Sequence, residues 1–230
     1  MATQDDSIAV ILAACHYSYQ LFHRIFGSEP DDAMLDVFAD KYTFSVLGMV
    51  FNENDENLQI LLNAFEDITS KRLADHDSLL DSLLSEYTHL LVGPSKLPAP
   101  PWESVFATDE RMLFQSCTFD VRRLYKQHGY VPSNYPHEAD DHLALELDFM
   151  AHLAASAFSY YEQGDMENAK KSLLSQQHFL NKHLLVWIDS FANAIQTAMP
   201  CLLYPQAALA VARFLKNYAD IILELDNAWQ

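Results

Sequence analysis

Residues 138–163 read EADDHLALELDFMAHLAASAFSYYEQ, and their period decides the fold class. At 100° per residue, Leu143, Leu147, Met150, Leu153, Ala154 and Ala157 share one arc, while Asp141, Asp148, His152 and Ser159 point the other way. The pattern predicts a long helix from about Glu138 to Gln163. Glu138, Asp140 and Asp141 suit the positive end of its dipole, and Gly164-Asp165 closes it. On such a helix Asp141 faces solvent, His142 lies on the edge of the apolar arc and Glu146 falls inside it. A His/carboxylate pair at i,i+4 is either a satisfied structural pair or a recognition site.

The same helical spacing runs outward in both directions, and no period-2 segment interrupts it. Upstream, Ile8, Leu12, Cys15, Tyr19, Phe22 and Phe26 form a stripe that predicts a helix over 7–26 with Gly27 as its stop. Pro30, Asp31 and Asp32 open a second helix, and a third follows over about 42–50. The polar turn NENDEN (52–57) leads into helices over 58–73 and 77–91. Downstream of the loop described next, helices are expected over about 109–129, 166–182, 184–199 and 206–225, with PSNYP (132–136) bridging to the long helix. The expectation is an all-α chain of about nine to ten helices in a single compact domain. It consists of an N-terminal half (1–91), a proline loop (92–108) and a C-terminal half (109–230).

That loop, within YTHLLVGPSKLPAPPWESVF (87–106), holds four of the nine prolines: Pro94, Pro98, Pro100 and Pro101. Each fixes its own φ, removes a backbone donor and pushes its predecessor towards extended geometry, so neither a helix nor a central strand can run through. The result is a stiff connector, which is either a functional segment or a hinge between helical halves. Trp102, directly after Pro100-Pro101, is either a rigid apolar platform for a peptide or a ring tucked over a helix pair.

Composition excludes several classes. Lys plus Arg is 14 against 32 Asp plus Glu, a formal charge of −18, so nucleic acid and anionic membrane surfaces are poor partners, and the acidic excess either suits a basic partner or simply keeps the protein soluble. With five glycines there is neither GxGxxG nor GxxxxGK[ST]. Cys15, Cys117 and Cys201 form no CxxC pair and fit reduced, buried thiols. MATQDDSIAV has no basic region ahead of an apolar run, and no 18-residue apolar stretch occurs, so neither a signal peptide nor a membrane span is expected.

Catalytic and metal chemistry find little support. There is no GxSxG or HExxH, and Glu86 with His89 gives a single ExxH where a di-iron bundle needs two. No enzyme activity, metal or cofactor is expected. The alternative reading is an acidic helical metal-binding or enzymatic bundle that uses Glu86, His89, His142 and Glu146.

Three segments in order, LLVGPSKLPAPPWESVF, EADDHLALELDFMAHLA and FLNKHLLVWIDSFA, resemble the TorD/DmsD family of redox-enzyme maturation chaperones. The likeness covers about residues 80–225, and its PPW form leans to the DmsD side. It implies an all-α, cytoplasmic, non-catalytic protein. Such a protein binds the twin-arginine signal peptide and body of an apo molybdopterin-containing reductase, delays export and assists cofactor insertion, with cofactor-biosynthesis proteins as further candidate partners. For this chain it implies a peptide site at Gly93, Pro94, Pro101, Trp102, Ser104, Asp141, His142 and Glu146. His183 and Trp187 would pack behind it. Two departures stand out: Leu113-Phe114-Gln115-Ser116 replaces the usual LFGE or LFGD, and Glu103 stands where glycine is frequent, either tuning a basic ligand or facing solvent.

Overall fold

A computed structural model describes residues 4–93, 96–107, 112–132, 138–198 and 201–229. Pro94 and most of the PSNYP bridge lie outside these residues. The chain is all-α, with no strand among the described residues and one isolated backbone bridge, Trp102 to His142. The helices are α1 (Gln4–Gly27), α2 (Asp32–Ala39), α3 (Lys41–Val50), α4 (Glu56–Ala74), α5 (His76–Tyr87), α6 (Glu103–Ala107), α7 (Ser116–Gln127), α8 (Leu143–Glu162), α9 (Met166–Phe179), α10 (Leu185–Gln196) and α11 (Tyr204–Ala228). Two widened π-type turns, Thr88–Val92 and Leu180–Leu184, extend α5 and join α9 to α10.

Part of the acidic excess is built into helix starts. Asp31, Asp40, Asp55, Asp75 and Asp165 each accept a backbone N–H from the first turn of α2, α3, α4, α5 and α9. Each satisfies a donor that the helix leaves unpaired, worth about 1 kcal/mol apiece. Glu86 does the same across the fold: its carboxylate accepts from Leu202 N–H at 2.7 Å and Leu203 N–H at 3.3 Å, just ahead of α11.

The core is organised by α8, which packs chiefly against α1 and α9. The stripe expected on α1 is buried from Leu12 to Phe26, and all six residues of the α8 arc are buried. Leu145, Phe149 and Ala151 on other sides of α8 are buried as well, so this helix is central rather than amphipathic. Gly27 permits the tight approach at one end. A Cβ there would lie 2.8 Å from the Ala144 Cβ, and His23 Nδ1 bonds the Ala144 carbonyl at 2.8 Å. The end of α1 thereby fixes where α8 begins.

Three expected boundaries shift. The long helix starts at Leu143, not Glu138, because the 138–142 segment forms turns whose carbonyls serve other elements. The helix expected from Asp109 starts at Ser116, and Leu113-Phe114 form a bend with Phe114 at φ 61°. The proline loop is also not wholly extended, since α6 forms immediately after Trp102.

Candidate functional site

The site is assembled where the proline loop meets the start of α8. Leu143 N–H donates to the Pro101 carbonyl at 2.8 Å, and Glu103 N–H donates to the Asp141 carbonyl at 3.0 Å. This bridge clamps Trp102 beside His142, their rings 5.4 Å apart and edge-on at 79°. The Trp102 indole N–H donates to Glu138 Oε1 at 2.9 Å.

Asp141 is fully buried, which corrects the expectation of a solvent-facing residue. Its position precedes the helix, so the 100° wheel does not apply to it. The carboxylate Oδ2 accepts Ser104 N–H at 2.8 Å, capping α6 from a distant part of the chain. Ser104 is likewise buried. His142 is the N-cap of α8, with Nδ1 accepting Ala144 N–H at 3.1 Å. Burial pulls its imidazole down to about 4; the Asp141 charge opposes this shift and His23 adds to it.

The expected His142/Glu146 side-chain pair does not form, because His142 is turned into its capping bond. Glu146, fully buried, accepts instead from the Trp187 indole N–H at 3.3 Å. Burial pushes the Glu146 carboxyl well above its ordinary range, and the Glu103 and Asp141 charges push it further.

Of the two readings left open for Glu103, tuning a basic ligand or facing solvent, burial rules out the second. Glu103 is buried on α6, and its Oε2 lies 2.9 Å from His183 Nδ1. His183 sits in the π-type turn between α9 and α10, and like Trp187 it is buried, as expected of residues behind the site. Beyond the imidazole, Asp120 Oδ2 lies 3.7 Å from His183 Nε2 and is ion-paired to Lys182 and Arg123. Partial burial raises the Asp120 carboxyl, but the cations outweigh it and hold it below its ordinary value.

Two openings flank this arrangement. A cleft of ≈ 710 Å³ is lined by Leu97, Pro98, Pro100, Trp102, Phe106 and Leu113, together with Lys96 and Val105. A second, of ≈ 690 Å³, exposes the polar side through Glu103, Cys117, Asp120, Arg123, Lys182 and His183.

Of the sequence-picked residues, Pro101, Trp102, Ser104, Asp141 and His142 are brought together, with Glu146 behind them. Gly93 is elsewhere in the loop, its N–H closing the turn on Thr88 at 2.6 Å. The alternative set of Glu86, His89, His142 and Glu146 does not converge: Glu86 is committed to the start of α11, and the metal-capable group among the described residues is Glu103, Glu146 and His183. Sequence reasoning passed over Glu138 as the partner of Trp102. It also passed over Glu103–His183, 80 residues apart, for which no spacing rule exists.

The family model described as nitrate reductase delta subunit matches residues 52–193, reaching further towards the N-terminus than the motif likeness alone. The chaperone protein TorD of Vibrio cholerae serotype O1 is 30% identical over 154 residues, covering 67% of this chain and 68% of that protein. A protein of Haemophilus influenzae described as "Probable Tat proofreading chaperone DmsD" is 27% identical over 201 residues, covering 86% and 87%. With the motifs in register and the all-α architecture in place, the chain belongs to the TorD/DmsD family of redox-enzyme maturation chaperones.

Proposed function

We propose that this chain is a cytoplasmic, non-catalytic chaperone that binds the twin-arginine signal peptide and body of an apo molybdopterin-containing reductase. In this reading it holds the client back from export while the cofactor is inserted. The observation that carries the reading is the Trp102 cleft: an apolar, proline-stiffened groove on a chain of formal charge −18. A twin-arginine signal joins fixed positive charge to an apolar stretch. The acidic chain steers the first part and the groove holds the second. No helix of the described residues is long and apolar enough to cross a membrane.

Asp141 and His142 act here through position. Buried, they hold α6 and Trp102 against α8, which gives the groove one shape before the peptide arrives. Gly93 and Pro94 belong to the proposed site as the other end of the same loop, and Glu146 as its buried support. Hydrogen exchange of the full chain with and without a synthetic twin-arginine signal peptide tests the location. Protection is expected in residues 96–107 and at the start of α8. Protection confined to other parts of the chain would refute the site.

A further inference from the structure

Behind the groove, three side chains from three elements converge, and only Glu103 and His183 are joined by a hydrogen bond between them. Glu103 (α6), Glu146 (α8) and His183 (the turn after α9) each offer a ligand atom, all within 4.8 Å of one another. All three are buried. Glu146 Oε1 has no hydrogen-bond partner, an arrangement that buried polar atoms rarely keep. Asp141 Oδ1, nearby and also unpartnered, adds to the uncompensated negative potential.

We propose that Glu103, Glu146 and His183 form a binding site for one divalent transition cation of the zinc class. Two carboxylate oxygens and one imidazole nitrogen are a donor set suited to Zn²⁺ or Co²⁺, with positions left open for water. His183 Nδ1 and Glu103 Oε2, 2.9 Å apart, are already spaced as neighbouring ligands of one ion. Ligand bonds of about 2.0–2.2 Å need Glu146 to close in by a rotamer adjustment. With Nδ1 on the cation the ring proton sits on Nε2, which faces the Asp120 carboxylate at 3.7 Å. This is the outer-shell carboxylate that metal-bound histidines commonly have. The cation enters from the opening lined by Glu103, Asp120, Lys182 and His183. None of the three ligands lines the Trp102 cleft, although Glu146 is also the buried support of the proposed peptide site, and the metal serves structure by tying α6 to α8 and to the turn after α9.

The test is calorimetric titration of ZnCl₂ into chelator-treated full-length protein, with Co²⁺ absorption as a second probe. One ion per chain is expected. Glu146→Gln keeps the size and planar shape of the side chain, so it preserves the fold. It and Glu103→Gln should each weaken binding at least about tenfold. The surface control His76→Gln should leave binding unchanged. No binding to the wild type, or binding that survives both Glu146→Gln and Glu103→Gln with circular dichroism unchanged, overturns the proposal.

Discussion

The carboxylate of Asp141 accepts the backbone N–H of Ser104 at 2.8 Å, joining two residues 37 positions apart and capping a helix that neither the proline loop nor α8 could start alone. Trp102 precedes α6 without a side-chain acceptor for its first turn, and the first-turn acid Glu103 is turned to His183 instead. The cap comes from the segment ahead of α8. The geometry of the groove therefore depends on a residue that does not line it.

Removing that acceptor strands a buried donor. Asp141→Ala should cost about 1–3 kcal/mol of stability, measured by urea denaturation. Asp141→Asn keeps an acceptor and should cost clearly less. If the two variants are equally destabilised, charge rather than the cap is what Asp141 supplies.

His142 carries a pH signature. Its folded pKa of about 4 lies below the ordinary 6.5, so the unfolded chain binds a proton that the native state refuses. This stabilising contribution is complete above pH 6.5 and is lost as the pH falls towards 4, amounting to roughly 3 kcal/mol. Asn is a good N-cap without a titrating group, so His142→Asn should flatten the acid limb between those values. Denaturation curves at half-unit pH steps check it, and an unchanged limb would remove His142 as the cause.

Salt should act on encounter more than on residence. The Debye length falls from about 10 Å at 0.1 M to about 3 Å at 1 M, so association of an Arg-Arg peptide should slow markedly while dissociation changes less. Stopped-flow rates that ignore salt would leave the −18 charge without a role in binding.

Much of the fold was legible because its signals are local. Helical spacing gave α1, α4, α8 and α11, and Pro30 with Asp31 and the NENDEN turn marked real starts. The site was legible only as a neighbourhood. The wheel placed Asp141 outside because it assumed a helix already begun, whereas residues 138–142 spend their backbone groups on α6 and α7: Tyr125 Oη–H donates to the Asp140 carbonyl at 2.9 Å and Glu103 N–H to that of Asp141. Glu103 stayed open between tuning a basic ligand and facing solvent for a related reason. Its partner His183 lies in a π-type turn within an apparently ordinary helical stretch, and tertiary packing alone brings them together.

The most direct measurement is the affinity of a twin-arginine signal peptide for the wild-type chain and for Trp102→Ala, by titration calorimetry, with a Lys-Lys peptide as control. The account predicts saturable one-to-one binding by the wild type. Trp102→Ala should weaken it by about 2 kcal/mol, near thirtyfold, while the fold persists, because Trp102 is half-buried rather than core. The Lys-Lys peptide, lacking the planar fork of arginine, should bind less tightly. Equal binding by wild type and a folded Trp102→Ala variant would contradict the proposed groove.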